Sequence, residues 1–164
     1  MARAYVSIGS NIERETNIRA AIRALRRRFG TLRLSRVYEN RPIGFEGNDF
    51  LNLVAGFDSD EPPEAVAAAL HDIEQRQGRL RGPTRFAPRT IDLDLLLYDD
   101  LVRDDEALRL PRDEIREYAC VLGPLAELAP DERHPETGET FAQMWARFPQ
   151  SRQPLTAVAL DLDG

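Results

Sequence analysis

Lysine is missing from the 164-residue sequence: all 22 basic residues are arginine. That absence excludes a lysine Schiff base, a lysine general base and the lysine of a phosphate-binding P-loop. The cationic groups that remain are planar, permanently charged forks suited to clamping phosphates and carboxylates. Cysteine occurs once, as Cys120, so neither an intramolecular disulfide nor a cysteine-rich zinc cluster can form, and a reducing cytoplasm is expected. Histidine occurs twice; neither His71 nor His134 has a catalytic partner in sequence. No apolar run approaches the ~20 residues of a membrane span, and the N-terminal MARAYVSIGSN has no secretory h-region. The formal net charge of −6 argues against a general nucleic-acid or anionic-membrane binder, but local arginine clusters remain suited to a phosphorylated small molecule.

The length predicts one domain over 1–164 with a sizeable core. Alternation predicts a first strand over 3–8, ending at the turn triplet Gly9-Ser10-Asn11. Ile18, Ala21, Ile22, Leu25 and Phe29 recur at helical spacing and predict a helix over 14–29 closed by Gly30. Strands are expected over 31–39 and 50–57. A helix opened by Pro62-Pro63 follows, ending near Gly78, and then a strand over 90–98. Helices over 121–128 and 141–148 and a terminal strand over 155–160 complete the reading. The order β-α-β-β-α-β matches the split βαβ pattern, an α+β, ferredoxin-like antiparallel sheet with additional C-terminal helices.

The stretch carrying chemistry is 79–94. Thr90-Ile91-Asp92-Leu93-Asp94-Leu95 alternates without a break, placing Asp92 and Asp94 on one face of a strand. Two adjacent carboxylates repel unless a cation sits between them, and the hard cation that takes one or two carboxylates plus phosphates is Mg²⁺. The alternative is a pair of ordinary solvent-facing strand residues. Upstream lie Arg79, Arg81, Arg85 and Arg89, in a segment broken by glycine and proline. Read functionally, these arginines neutralise charge during phosphoryl transfer beside the metal carboxylates; otherwise they form a solvated basic loop. Phe50 and Asn52, two residues apart on one strand face, can stack on a flat heterocycle and hydrogen-bond its edge, or Phe50 can pack in the core.

Together these pieces resemble the 6-hydroxymethyl-7,8-dihydropterin pyrophosphokinases of folate biosynthesis. The resemblance rests on Gly9-Ser10-Asn11, Pro42-Ile43-Gly44, Phe50-Leu51-Asn52, Ile73-Glu74 and Gly78-Arg79-Leu80-Arg81. It continues through Pro88-Arg89-Thr90-Ile91-Asp92-Leu93-Asp94, Pro124-Leu125 and Glu127-Leu128-Ala129-Pro130, and spans roughly residues 3–130. It implies a ferredoxin-like fold and pyrophosphoryl transfer from ATP to the pterin hydroxymethyl group, with release of AMP. By the same resemblance, Asp92 and Asp94 would hold two Mg²⁺ ions, and Arg79 and Arg89 would act catalytically on the phosphates. Glu74, Arg81, Phe86 and Arg112 would bind nucleotide, Phe86 standing where the family usually carries tryptophan. Ile43, Phe50 and Asn52 would bind the pterin, with loops at 40–49 and 79–89 closing over both substrates. The expected partners are these small-molecule substrates, with neither nucleic acid nor membrane; the setting expected is the cytoplasm, and the oligomeric state stays open, with a monomer favoured.

The chain departs from the family pattern downstream. Arg112-Asp113 follows Pro111 where a histidine is usual, Tyr118-Ala119-Cys120 replaces an arginine and an aromatic, and Ala107 replaces a nucleotide-contacting arginine. Two further readings follow from these departures: a divergent paralogue acting on another pterin-like alcohol, or a non-catalytic nucleotide- or pterin-binding protein.

Overall fold

The computed structural model describes residues 1–42, 47–78 and 91–162. Five strands build the main path of the sheet, in the order β5-β1-β4-β3-β8, and each pairs antiparallel with its neighbours. They are β1 (Ala2–Ser10), β3 (Val37–Asn40), β4 (Phe50–Ser59), β5 (Asp92–Tyr98) and β8 (Thr156–Val158), with β2 (Arg33–Leu34) pairing β4 beside this path. Helices α1 (Arg14–Phe29) and α2 (Pro63–Arg76) fill the two crossovers of the β-α-β-β-α-β order. The expected ferredoxin-like α+β architecture is therefore present.

Alternation along the strands sorts their side chains into two cores. Ala4, Val6, Ile8, Leu51, Leu53, Leu93 and Leu95 join Ile18, Ile22, Leu25, Val66, Leu70 and Ile73 of α1 and α2. Tyr5, Val54 and Leu96 face the other way, onto Ile115, Leu122, Leu125, Phe141 and Met144. Those last residues come from α3 (Glu114–Glu117), α4 (Ala119–Leu128) and α5 (Phe141–Arg147). Phe29, at the end of the α1 stripe, stacks on Phe57 with ring centroids 4.2 Å apart. Gly30 closes α1 at φ +86°, a conformation that glycine adopts without a Cβ clash.

Several boundaries differ from the sequence expectation. The first strand runs through Gly9 and Ser10, because both pair with β4 and the turn is displaced beyond them. The strand expected over 31–39 divides at Ser35, whose Oγ accepts from Val54 N at 2.9 Å while its own N–H donates to Val54 O at 3.0 Å. A side-chain oxygen thus substitutes for a ladder carbonyl and breaks the strand. The α4 helix begins at Ala119, two residues before its apolar run suggests, and α3 precedes it as a single short helix too brief to show a period. The small hairpin of β6 (Arg103–Asp104) and β7 (Arg109–Leu110) is also absent from the sequence reading. Its turn is held by Asp105 Oδ1, which accepts from Ala107 N at 2.9 Å and Leu108 N at 3.0 Å. The terminal strand is shorter than expected, 156–158, and adds to the β3 edge. Among the described residues, no helix is long and apolar enough to cross a membrane.

Candidate active site

The site forms where the second helical layer leaves one end of the sheet open. Tyr5 and Val54 lie under α4, but further along the same face come Ser7 and Gly9 of β1 and Asn52 and Phe50 of β4. Asp92 and Asp94 of β5 complete this face. Strand register sets the arrangement: Gly9 pairs with Asn52 on one side and Asp92 on the other, while Ser7 pairs with Asp94. Tyr118, Cys120 and Val121 at the start of α4, with Glu114 of α3, form the opposite wall of a cavity of about 300 Å³. The expected D-x-D alternation holds: Asp92 and Asp94 are half-buried and border the cavity, while Ile91, Leu93 and Leu95 are buried.

Gly9 is the centre of this row, and its missing side chain keeps the cavity open. A Cβ built there would lie 2.6 Å from Asn52 Oδ1. The Asn52 amide is oriented by Asn40, whose Oδ1 accepts from Asn52 Nδ2. Asn40 itself pairs with Phe50 across β3 and β4, so the aromatic face and the amide are fixed by one piece of ladder. The chain leading into Phe50 is tied down as well: Asn11, almost fully buried, donates through Nδ2 to Asn48 O at 3.3 Å. Arg14 donates to Asp49 O at 3.2 Å.

Glu74 is only 5% exposed and lies behind the carboxylate strand, with Oε2 accepting from Leu93 N at 2.8 Å. The peptide it grips lies between Asp92 and Asp94. Its carboxylate thereby holds that strand, and Glu74 is not among the residues that border the cavity. Arg112 anchors the other side: its Nε donates to Glu114 Oε2 at 2.5 Å, and its guanidinium lies 3.9 Å from Asp94. Burial alone would lower the Arg112 pKa, but Asp94 and Glu114 offset this, and the group stays above the ordinary arginine value. The acidic Asp113 that departs from the family pattern is paired with Arg109 at 3.0 Å, and Arg116 is held by Glu136 at 2.8 Å. Cys120 borders the cavity with a thiol pushed up to about 11 by burial, which disfavours the thiolate a nucleophile needs.

The structure thus brings Phe50, Asn52, Asp92 and Asp94 to one cavity, with Arg112 beside Asp94. Arg79, Arg81, Phe86, Arg89 and Ile43 lie outside the described residues, as do 43–46 of the first loop expected to close over the substrates and the whole of the second, 79–89. Ser7, Asn40 and Glu114 are cavity residues that the sequence reading did not single out, while Gly9 entered it as part of the resemblance and Tyr118 as a departure from the family pattern. Strand alternation from the Gly9 motif could have found Ser7. Asn40 and Glu114 carry no local signal, because they arrive through strand pairing and chain reversal.

The fold and this cavity define a class, an α+β enzyme scaffold with a carboxylate pair opening beside an aromatic-amide pair. The family model described as 7,8-dihydro-6-hydroxymethylpterin-pyrophosphokinase (HPPK) matches residues 5–130, and the chain belongs to this family. A 2-amino-4-hydroxy-6-hydroxymethyldihydropteridine pyrophosphokinase of Pseudomonas aeruginosa is 38% identical over 151 residues, covering 90% of this chain and 92% of the relative. The protein of the same name from Bacillus subtilis is 36% identical over 129 residues, covering 76% of this chain and 77% of the relative. Among solved structures, an HPPK-DHPS in complex with substrates superposes with a TM-score of 0.73 at 12% identity, which supports the fold. That alignment covers 92% of this chain, which spans only 46% of the solved one.

Proposed function

We propose that this protein transfers pyrophosphate from ATP to the hydroxymethyl group of 6-hydroxymethyl-7,8-dihydropterin in folate biosynthesis. The observation that carries the reading is the meeting of Asp92 and Asp94 with Phe50 and Asn52 in one cavity of an HPPK-family chain. In the reaction the pterin hydroxyl oxygen forms a bond to the β-phosphorus of ATP. The bond from that phosphorus to the α-phosphate bridging oxygen breaks, and AMP, the pterin pyrophosphate and one proton are released.

The chain's own residues divide the work. Phe50 offers an aromatic face to the pterin ring, and Asn52, its Nδ2 engaged by Asn40, presents Oδ1 to ring N–H donors. Asp92 and Asp94 are hard oxygen donors on one strand face, a donor set that fits Mg²⁺, with phosphate and water oxygens completing the shell. Asp92 and Asp94 would hold Mg²⁺, which would supply neutralisation of the triphosphate charge. Glu74 holds the strand that carries both carboxylates, and Arg112 limits their mutual repulsion from the Asp94 side. The proposal gives Arg79 and Arg89 the catalytic contacts to the transferred group, with Arg81 and Phe86 toward the nucleotide and Ile43 toward the pterin. The proposed setting is the cytoplasm, with the protein acting as a monomer on small-molecule substrates.

Mixing protein, Mg-ATP and the hydroxymethyl dihydropterin should yield AMP and the pterin pyrophosphate. Asp92→Ala and Asp94→Ala should each lower the rate by about 10²–10³, the scale on which removal of an electrostatic stabiliser acts. No AMP at high enzyme concentration, or unchanged turnover in both variants, would refute the reading. AMP formation with a different planar alcohol but not with this pterin would instead favour the divergent paralogue, the reading prompted by the departures at Ala107, Arg112, Asp113, Tyr118 and Cys120.

A further inference from the structure

Tyr118 sits at a break between two helices. Its extended backbone (φ −123°, ψ 126°) ends α3 at Glu117 and starts α4 at Ala119. Such a break leaves a carbonyl of the first helix and an N–H of the second without intrahelical partners. Both are taken by one side chain from far along the sequence. Gln153 Oε1 accepts from Ala119 N at 2.9 Å, and Gln153 Nε2 donates to Glu117 O at 2.9 Å. The amide therefore bridges the peptide groups on either side of Tyr118, as a neighbouring strand would.

Ala119 is completely buried, so without Gln153 its N–H would lose this partner in a place with little access to water. The two residues flanking Ala119, Tyr118 and Cys120, belong to the site wall opposite the sheet, with Val121 and Glu114. Gln153 itself does not line that cavity. It lines the adjoining cavity of about 340 Å³, which shares Asn40 and Cys120 with the site. The chain is anchored just after Gln153. Leu155 packs toward Gly123 of α4, and Thr156, Ala157 and Val158 pair with Glu39, Tyr38 and Val37 of β3. Asn40, which orients Asn52, immediately follows that paired stretch.

We infer that Gln153 is a positioning residue for acceptor binding: it fixes the Tyr118–Cys120 wall against the Phe50–Asn52 sheet face. The inference rests on the proposed pyrophosphokinase reading, since it assigns that wall to the flat acceptor. It gives the C-terminal segment a share in acceptor selectivity without contact to the acceptor.

The test compares wild type with Gln153→Met, which keeps side-chain length and packing but has neither hydrogen-bonding end. Amide exchange at Ala119 should speed up in the variant. The acceptor KM should rise about tenfold, equivalent to about 1.4 kcal/mol, with the ATP KM within about twofold of wild type. Gln153→Glu retains an acceptor for Ala119 N but sets a carboxylate oxygen against Glu117 O, and should restore part of the acceptor KM. Equal rises in both KM values would show a general structural defect and overturn the inference. Faster Ala119 exchange with an unchanged acceptor KM would overturn it too. In either case AMP formation by wild type leaves the functional reading standing, whereas absence of AMP from wild type overturns that reading and this inference with it.

Discussion

Replacing Gly9 by alanine adds one methyl group at the centre of the site row. The backbone accepts it, since Gly9 lies in a strand and is not among the positive-φ glycines. The obstacle is Asn52, whose Oδ1 would lie 2.6 Å from the new Cβ, while Leu51 O stays at 3.8 Å. To regain ordinary contact at 3.4 Å the amide oxygen must move roughly 0.8 Å. Asn52 cannot swing freely, because its Nδ2 is bound to Asn40. A displacement near 1 Å in a substrate-positioning group costs up to about 10²-fold in rate. Gly9→Ala should therefore lower kcat/KM for the pterin by about 10- to 100-fold, or about 1.4–2.7 kcal/mol, with the ATP KM within about twofold. Steady-state AMP release with each substrate varied in turn measures both. The reasoning also requires non-additivity: in an Asn52→Ala background, Gly9→Ala should cost less than about threefold, because the displaced group is gone. Wild-type kcat/KM in Gly9→Ala, or full additivity in the double variant, would refute it.

Two further predictions concern groups outside the reacting atoms. His134 is buried, and its Nδ1 accepts from Glu136 N at 3.1 Å and Thr137 N at 3.3 Å, so the neutral ring carries its proton on Nε2. Protonation would place a hydrogen on the acceptor of both bonds, and burial accordingly pulls the His134 pKa below its ordinary value of 6.5. The unfolded chain then binds the proton more readily, so this stability is complete above about pH 6.5 and is lost as pH falls below it. Urea midpoints between pH 7.5 and 5.5, read at about half-unit steps, should decline more steeply in wild type than in His134→Gln; parallel profiles would exclude His134 as the cause. Cys120→Ala should retain AMP formation within about threefold, and the wild-type thiol should react slowly with a disulfide reagent near pH 8, since a thiol pKa of about 11 leaves little thiolate. Loss of turnover in that variant would give Cys120 a chemical role that its raised pKa argues against.

Periodicity and turn chemistry carried a large part of the fold. The α1 stripe, Gly30 as its stop, the proline opening of α2 and the D-x-D alternation all appear where local pattern places them, because each reports on its own few residues. The misses share a cause. Ser35 interrupts a strand through a bond to Val54, nineteen residues away, and α3 is too short to show a helical period. Glu74 next to Ile73 carries the resemblance, yet its grip on the Leu93 peptide emerges only when α2 packs against β5.

By itself the sequence determined which chemistry the chain can perform. Two carboxylates at strand spacing, an aromatic and an amide on one strand face, and a cation set of arginine alone follow from residue type and local period. The tertiary structure decided what those groups meet. Antiparallel register sets Gly9 between Asn52 and Asp92, and the start of α4 supplies the facing wall of Tyr118 and Cys120. It also turned an unremarked glutamine near the C-terminus into the clamp on that wall. The physical reason is the same throughout: alternation and helical period act over neighbouring residues, whereas register, layer packing and the satisfaction of a buried N–H depend on chain segments far apart in sequence.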